Sequence, residues 1–172
     1  GTDPDGDELT YSVTGADAAM FVVAGTTLSF ASGHAADMET QSAYNIILEA
    51  TDVGGLTYDA DFTINVNNVN EIPTDIMLTS TSVDENSPGA NIGIISGTDP
   101  DGDELTYSVT GADAAMFVVA GTTLSFASGH AADMETQSAY NITLEATDVG
   151  GLTYDADVTI NVKNVKENRT VN

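Results

Sequence analysis

The chain contains no cysteine and no tryptophan, and its 172 residues include only three basic ones, Lys163, Lys166 and Arg169, all within the last ten positions. Each absence closes a class of function. Without cysteine there is neither a disulfide staple nor a thiolate metal site. Without lysine or arginine through the body of the chain, nucleic acid is excluded as a partner, because phosphate binding requires cationic side chains. Without tryptophan and with six tyrosines, aromatic platforms for sugars are in short supply. No apolar run is long enough to span a bilayer and no leader-like segment opens the sequence, so the expectation is a soluble segment without membrane insertion. His34 and His130 stand alone, with no second histidine or cysteine at ligand spacing, which argues against zinc.

What is present is acid and repetition. Twenty-seven Asp and Glu give a formal net charge of −24. Such a surface repels itself and weakens the compact state unless it is neutralised, and multivalent cations are the natural counter-charge. The segment starting Gly1-Thr2-Asp3-Pro4-Asp5-Gly6-Asp7 recurs from Gly97, a period of 96 residues, which is the size of one domain. Between Gly1–Glu71 and Gly97–Glu167 only four positions differ: Ile47/Thr143, Phe62/Val158, Asn67/Lys163 and Asn70/Lys166. Near-duplicate modules point to a role for copy number, and so for length or avidity, over a specialised site in either copy.

Period-two alternation dominates. Ala156, Val158, Ile160 and Val162 share one face and Asp155, Asp157, Thr159 and Asn161 the other, the pattern of a half-buried strand. Tyr140–Ala146 alternates likewise, and Gly150-Gly151 between the runs supplies a hairpin turn. Leu105–Val109 predicts a further strand, Met116–Val119 and Thr122–Phe126 a short hairpin around Ala120-Gly121, and Thr74–Ser80 and Ala90–Ser96 two more. Helix is limited to one turn near His130–Gln137. About seven short strands per repeat predict an all-β, Greek-key β-sandwich in tandem.

On this map Ile47/Thr143 faces solvent and Phe62/Val158 faces the core. The domain frame is offset from the repeat frame: a complete sandwich runs over 71–166, followed by a tail at 167–172, while 1–70 forms a domain lacking its first two strands, the equivalents of Thr74–Ser96. That leaves an uncovered edge, expected to pair with another chain or with an upstream strand.

The acids cluster in turns at strand ends: Asp99-Pro100-Asp101-Gly102-Asp103, Asp133-Met134-Glu135 and Ala146-Thr147-Asp148. Calcium takes six to eight oxygen ligands and suits such convergent loops. An EF-hand does not fit, because its glycine belongs at the sixth loop position and a glutamate at the twelfth, whereas here the glycine is fourth and Thr14 or Thr110 is twelfth. Asp7, Glu8, Asp17, Asp59 and Asp61 fall in no motif and are expected to be ordinary surface residues. Paired carboxylates could serve a glycosidase, but the acids lie at domain ends with no cleft between them, and the chain is not expected to be an enzyme.

In this order and spacing the motifs resemble the cadherin repeat. Asp84-Glu85-Asn86 is similar to that family's glutamate after the first strand, Asp99-x-Asp101 to its aspartate pair, Asp133-Met134-Glu135 to its Asp-Arg-Glu, Ala146-Thr147-Asp148 to its Ala-x-Asp, and Asn68–Pro73 to its linker. The resemblance implies calcium between successive domains. Its ligands at the junction would be Asp37 and Glu39 from the first copy, Asn68, Asn70 and Glu71 from the linker, and Asp99, Asp101 and Asp148 from the second copy. Asp3, Asp5 and Asp52 would face a preceding domain, and Glu85, Asp133 and Glu135 a following one. Three departures stand out. The linker carries asparagines where the family carries aspartates, the first copy has no counterpart of Glu85, and Lys163 and Lys166 put ammonium groups beside the second linker.

The implied function is a calcium-rigidified module of an extracellular, bacterial surface adhesin, serving as a spacer or in cell adhesion. Its partners would be neighbouring repeats or a homophilic copy. A polysaccharide-binding module is the alternative.

Overall fold

The computed structural model describes residues 1–166; the expected tail at 167–172, with Arg169, lies outside the described residues. The chain divides into two compact units, Gly1–Val69 and the remainder from Asn70.

Unit 1 has β1 (Thr10–Thr14), β2 (Phe21–Ala24), β3 (Thr27–Phe30), β4 (Ala43–Thr51) and β5 (Thr57–Asn65). They form a three-stranded sheet in the order β1-β4-β5 and a two-stranded sheet, β2-β3. Unit 2 has β6 (Asp75–Leu78), β7 (Ser82–Asp84), β8 (Asn91–Thr98), β9 (Thr106–Thr110), β10 (Phe117–Ala120), β11 (Thr123–Phe126), β12 (Ala139–Thr147) and β13 (Thr153–Lys163). Its two sheets run β10-β11-β8-β6 and β7-β13-β12-β9.

The expected hairpins form. Strands β12 and β13 pair antiparallel from Ala139↔Asn161 to Thr147↔Thr153, closed by a turn in which Gly151 adopts φ +88°, a region that favours glycine. The second hairpin pairs Phe117 with Phe126 and Ala120 with Thr123. The helical turn expected near His130–Gln137 is a single turn, with Gln137 N–H donating to the Asp133 carbonyl at 2.8 Å. Two more short elements are 3-10 turns at Ala18–Met20 and Ala114–Met116, and the second takes the start of the strand expected at Met116.

The stretch at 74–98 holds three strands where two were expected. Strand β7 is three residues long and pairs in parallel with β13 through Ser82↔Asn161 to Asp84↔Lys163. Three residues are too few to carry a readable alternation, and a parallel partner 79 positions away leaves no local signal.

Two layers of side chains close the core of unit 2. Val83, Leu144 and Ile160 from the β7-β13-β12-β9 sheet cluster with Ile92, Ile95 and Leu124 from the β10-β11-β8-β6 sheet. Phe117, Phe126 and Tyr140 interlock at the end of this core, the tyrosine edge-on to both phenylalanines at 5.6 and 5.3 Å between centroids, a favoured aromatic geometry. In β13 the expected face alternation holds, with Ile160 and Val162 buried, Ala156 and Val158 half-buried, and the intervening residues exposed.

The same sequence packs differently in unit 1, where only Phe21, Tyr44 and Ile46 are buried. Phe62, expected to face a core, is 48% exposed. Its counterpart Val158 packs against the unit 2 core, under strands for which unit 1 has no equivalent among the described residues.

Candidate metal centre

The loop between β8 and β9 is folded by its own first aspartate. One oxygen of Asp99 (Oδ1) accepts from the backbone N–H of Asp101 at 3.0 Å and of Asp103 at 3.3 Å, an Asx-type turn completed by Gly102 N–H donating to the Asp99 carbonyl at 3.1 Å. The turn brings carboxylate oxygens of Asp99, Asp101 and Asp103 within 4.8 Å of one another, all three residues half-buried. The second oxygen of Asp99 (Oδ2) is buried and has no hydrogen-bond partner among the described residues. Burying a carboxylate oxygen without a donor or cation is costly, and no Lys or Arg exists before Lys163 to meet it.

Two further elements close on this loop. Asp148, from the β12–β13 turn, is 6% exposed; its Oδ1 accepts from Leu152 N–H at 2.8 Å and its Oδ2 from the Asn70 side-chain amide at 2.8 Å. Glu71 donates its backbone N–H to Asp101 Oδ2 at 2.7 Å. The entry segment Asn70-Glu71 is thus tied to both acidic turns.

The electrostatics follow the geometry. Burial, and then repulsion from Asp99, Asp101 and Asp148, holds the Asp103 carboxyl above the ordinary aspartate range. Burial pushes Asp148 the same way, but the Asn70 amide and the backbone N–H groups of Leu152, Gly151 and Gly150 outweigh it and hold its carboxyl below that range.

A second acidic group closes the other loops of unit 2: Glu85, Asp133 and Glu135 also place oxygens within 4.8 Å of one another. Glu85 is 3% exposed and accepts from Met134 N–H at 3.0 Å and Val165 N–H at 2.7 Å. The hydroxyl and backbone N–H of Thr136 hold the Asp133 carboxyl low. Glu135 is lowered by its own backbone N–H, yet burial and the charges of Glu85 and Asp133 carry it above its ordinary value. Asn164 donates to Glu135 Oε1 at 3.2 Å.

In unit 1 the same turns form: Asp3 Oδ1 accepts from Asp5 N–H at 2.8 Å, Asp52 Oδ1 from Leu56 N–H at 2.8 Å, and Asp37 from Thr40 N–H at 2.9 Å. Asp37, Glu39 and Asn68 are exposed. No group of three acids gathers in unit 1 among the described residues. For Asp37 and Glu39 the reason is visible, since no counterpart of Glu85 stands beside them.

Asp103 stood in the acidic turn that the sequence singled out but not among the expected ligands, although a third acid at the same two-residue step follows Asp99 and Asp101. Asp17, expected to be an ordinary surface residue, is a correction: its carboxylate accepts from Asn45 N–H and from the Gln41 side chain at 3.1 Å, which makes it a brace between loops and not a solvated surface charge. The donors at Asp99, Asp101, Asp103 and Asp148 are all oxygen and partly dehydrated, and this set fits a hard cation such as calcium.

The fold and these acidic ends define an all-β sandwich of cadherin-like form. Residues 79–163 match the family model of the cadherin domain. Among curated proteins the chain is similar to mouse (Mus musculus) cadherin-17, 30% identical over 144 residues, covering 77% of this chain and 17% of that protein. It is also similar to rat (Rattus norvegicus) cadherin-17, 29% identical over 125 residues and covering 15% of that protein. The chain therefore spans about a sixth of the length of these relatives. Among solved structures, human protocadherin-24 EC1-2 superposes with a TM-score of 0.74 at 22% identity, covering 95% of this chain and 85% of that one. Protocadherin gamma B7 EC1-4 gives 0.63 at 27% identity, covering 90% and 40%.

Proposed function

We propose that the chain is a calcium-binding module of a repeated extracellular adhesion protein, acting as a spacer or contributing to cell adhesion, and that it catalyses no reaction. The observation that carries this reading is the trio Asp99, Asp101 and Asp103 with Asp148 beside it, including a buried carboxylate oxygen that nothing in the described residues satisfies. Calcium held there would supply the missing positive charge. Asp99, Asp101, Asp103 and Asp148 would provide carboxylates, with the Asn70 and Glu71 side chains as further oxygen donors. The cation would then cross-link the entry segment, the β8–β9 loop and the β12–β13 turn, fixing the end of the domain. In an array of near-identical repeats, ends fixed in this way yield a stiff and proteolysis-resistant spacer, and weak surface contacts multiplied over copies yield avidity.

Thermal unfolding in calcium, in magnesium and in chelator tests the reading. Calcium at a hundredfold excess over its dissociation constant adds about 2.7 kcal/mol by mass action. Magnesium, which demands a tighter octahedral cage, is expected to add far less, and Asp99→Ala to abolish the calcium gain. Three coincident curves would leave the acids as surface charge alone and end the calcium reading.

A further inference from the structure

We infer that Asn141 is an acceptor for an N-linked glycan and that its copy in unit 1, Asn45, is not. Asn-x-Ser/Thr, with x other than proline, is the pattern on which a sugar is transferred to an asparagine amide in secreted chains. It occurs at Asn141-Ile142-Thr143 and again at Asn168-Arg169-Thr170, the latter outside the described residues. In the first copy the aligned triplet is Asn45-Ile46-Ile47. One of the four differences between the near-duplicate copies therefore decides whether the motif is present, by supplying or withholding the hydroxyl two positions beyond the asparagine.

The fold leaves room for a glycan at this place. Side chains two apart on a strand share a face. Asn141 is exposed and Thr143 half-buried on the outer face of β12, while Ile142 between them is buried in the core. Strand β9 accompanies β12 only as far as Thr110↔Thr143, and Gly111, at φ +101°, then turns the chain aside. The result is a groove of about 300 Å³ beside Asn141, lined by Gly111, Ala112, Thr143, Asp157 and Thr159, with polar groups that suit the hydroxyls of a sugar. Thr159 Oγ1 donates to Asn141 Oδ1 at 2.9 Å, which turns the amide nitrogen, the atom that would carry the sugar, away from Thr159. Asp113 fixes the backbone without covering the side chain: its carboxylate accepts from Asn141 N–H at 2.7 Å and its own N–H donates to the Asn141 carbonyl at 3.2 Å.

Unit 1 is the control within the same chain. Asn45 is exposed, Thr63 Oγ1 donates to its Oδ1 at 2.9 Å, and Asp17 accepts from its N–H. What differs is the residue two positions on, where Ile47 offers no hydroxyl.

The transfer forms a bond between Asn141 Nδ2 and the anomeric carbon of a sugar carried on a lipid pyrophosphate. The anomeric C–O bond breaks, the pyrophosphate leaves with its electron pair, the amide nitrogen gives up one proton, and nothing is oxidised or reduced. In the folded strand Thr143 Oγ1 donates to Asp157 Oδ1 at 2.8 Å, so a transferase that reads this hydroxyl acts before β12 and β13 pair. The inference rests on the extracellular part of the functional reading and not on calcium.

The test secretes the whole chain through a eukaryotic pathway that carries an oligosaccharyltransferase. Peptides containing Asn45, Asn141 and Asn168 are read separately by mass spectrometry after peptide N-glycosidase in heavy-oxygen water, which marks each released site as a labelled aspartate. Chain retained in the cell is read alongside secreted chain, so a variant that folds poorly still reports. Label is expected at Asn141 and not at Asn45. Thr143→Ala is expected to abolish it, Thr143→Ser to keep it, and Ile47→Thr to bring it to Asn45. The inference is overturned if Asn141 stays bare, if its label survives Thr143→Ala or is lost in Thr143→Ser, if Asn45 is labelled in the unaltered chain, or if Ile47→Thr leaves Asn45 bare. Calcium plays no part in this readout, so a failure here leaves the calcium reading to the unfolding experiment.

Discussion

Leu28→Ala and Leu124→Ala delete the same atoms from the same local sequence, so their difference isolates what the Thr74–Thr98 strands contribute. Leu124 is 0% exposed, set on β11 between β10 and β8 and paired with Val119 and Gly93. Truncating it leaves a cavity closed on every side, and such substitutions cost about 3–5 kcal/mol. Leu28 pairs with Val23 on one side only and is half-buried. Water fills the space it leaves, so only the transfer of its covered part is lost, about 1–1.5 kcal/mol. For units of this size about 1 kcal/mol moves the midpoint by roughly 4–8 °C, so unit 2 should melt at least 12 °C lower in Leu124→Ala by the same scaling. Hydrogen exchange of core amides in β4 and β12 across a urea series reads each unit separately. Equal losses in the two copies, to within about 0.5 kcal/mol, would refute the claim that the covering strands, and not local sequence, set the packing.

Other outcomes follow from the acidic ends. In chelator, Asp103→Asn is expected to raise the midpoint of unit 2, because the ionised carboxyl opposes the fold; in calcium the same change should lower it. The pH dependence in chelator has two limbs. Asp103 has a raised folded pKa, so its ionised form is destabilising above that value and acidification through it stabilises unit 2. Asp133 and Asp148 are depressed, so their stabilisation is complete above the ordinary carboxylate range and is lost as pH falls through their lowered values. Glu135 is raised as well, so midpoints measured across acid pH should rise and then fall, and Asp103→Asn should diminish the rise while leaving the part that belongs to Glu135. Glu85→Ala removes the acceptor for Met134 and Val165 N–H and should cost about 1–3 kcal/mol in equilibrium unfolding. Gly97→Ala would put a methyl 2.7 Å from the Asp75 carbonyl and 2.8 Å from Leu105 Cδ1, an overpacking expected to cost about 1–3 kcal/mol in the same assay.

Much of this molecule is local, and local features are legible in a sequence. Alternation along Tyr154–Val162 sets which face is apolar, Gly150-Gly151 sets the hairpin, and Asp-Pro-Asp-Gly-Asp folds its own turn through side-chain to backbone bonds that span two to four residues. The candidate donors Asp99, Asp101 and Asp148 were visible for that reason. Asp103 differs, and so does the burial of Glu85, a residue that the order of the motifs had already named. Whether a carboxylate two residues along joins a group, or is buried between Met134 and Val165, depends on which turn comes to lie opposite, and pairing across some fifty to eighty positions leaves no periodic trace.

The sequence by itself determined the repeat, the all-β character, the hairpins and the supply of oxygen ligands, because each rests on contacts within a few residues or on composition. Only the tertiary structure decided that Leu124 is sealed and Leu28 is not, that β7 joins the far sheet in parallel, and that one copy gathers its acids into groups while the other does not. Identical residues meet different fates there because burial belongs to whatever strand lies across from them.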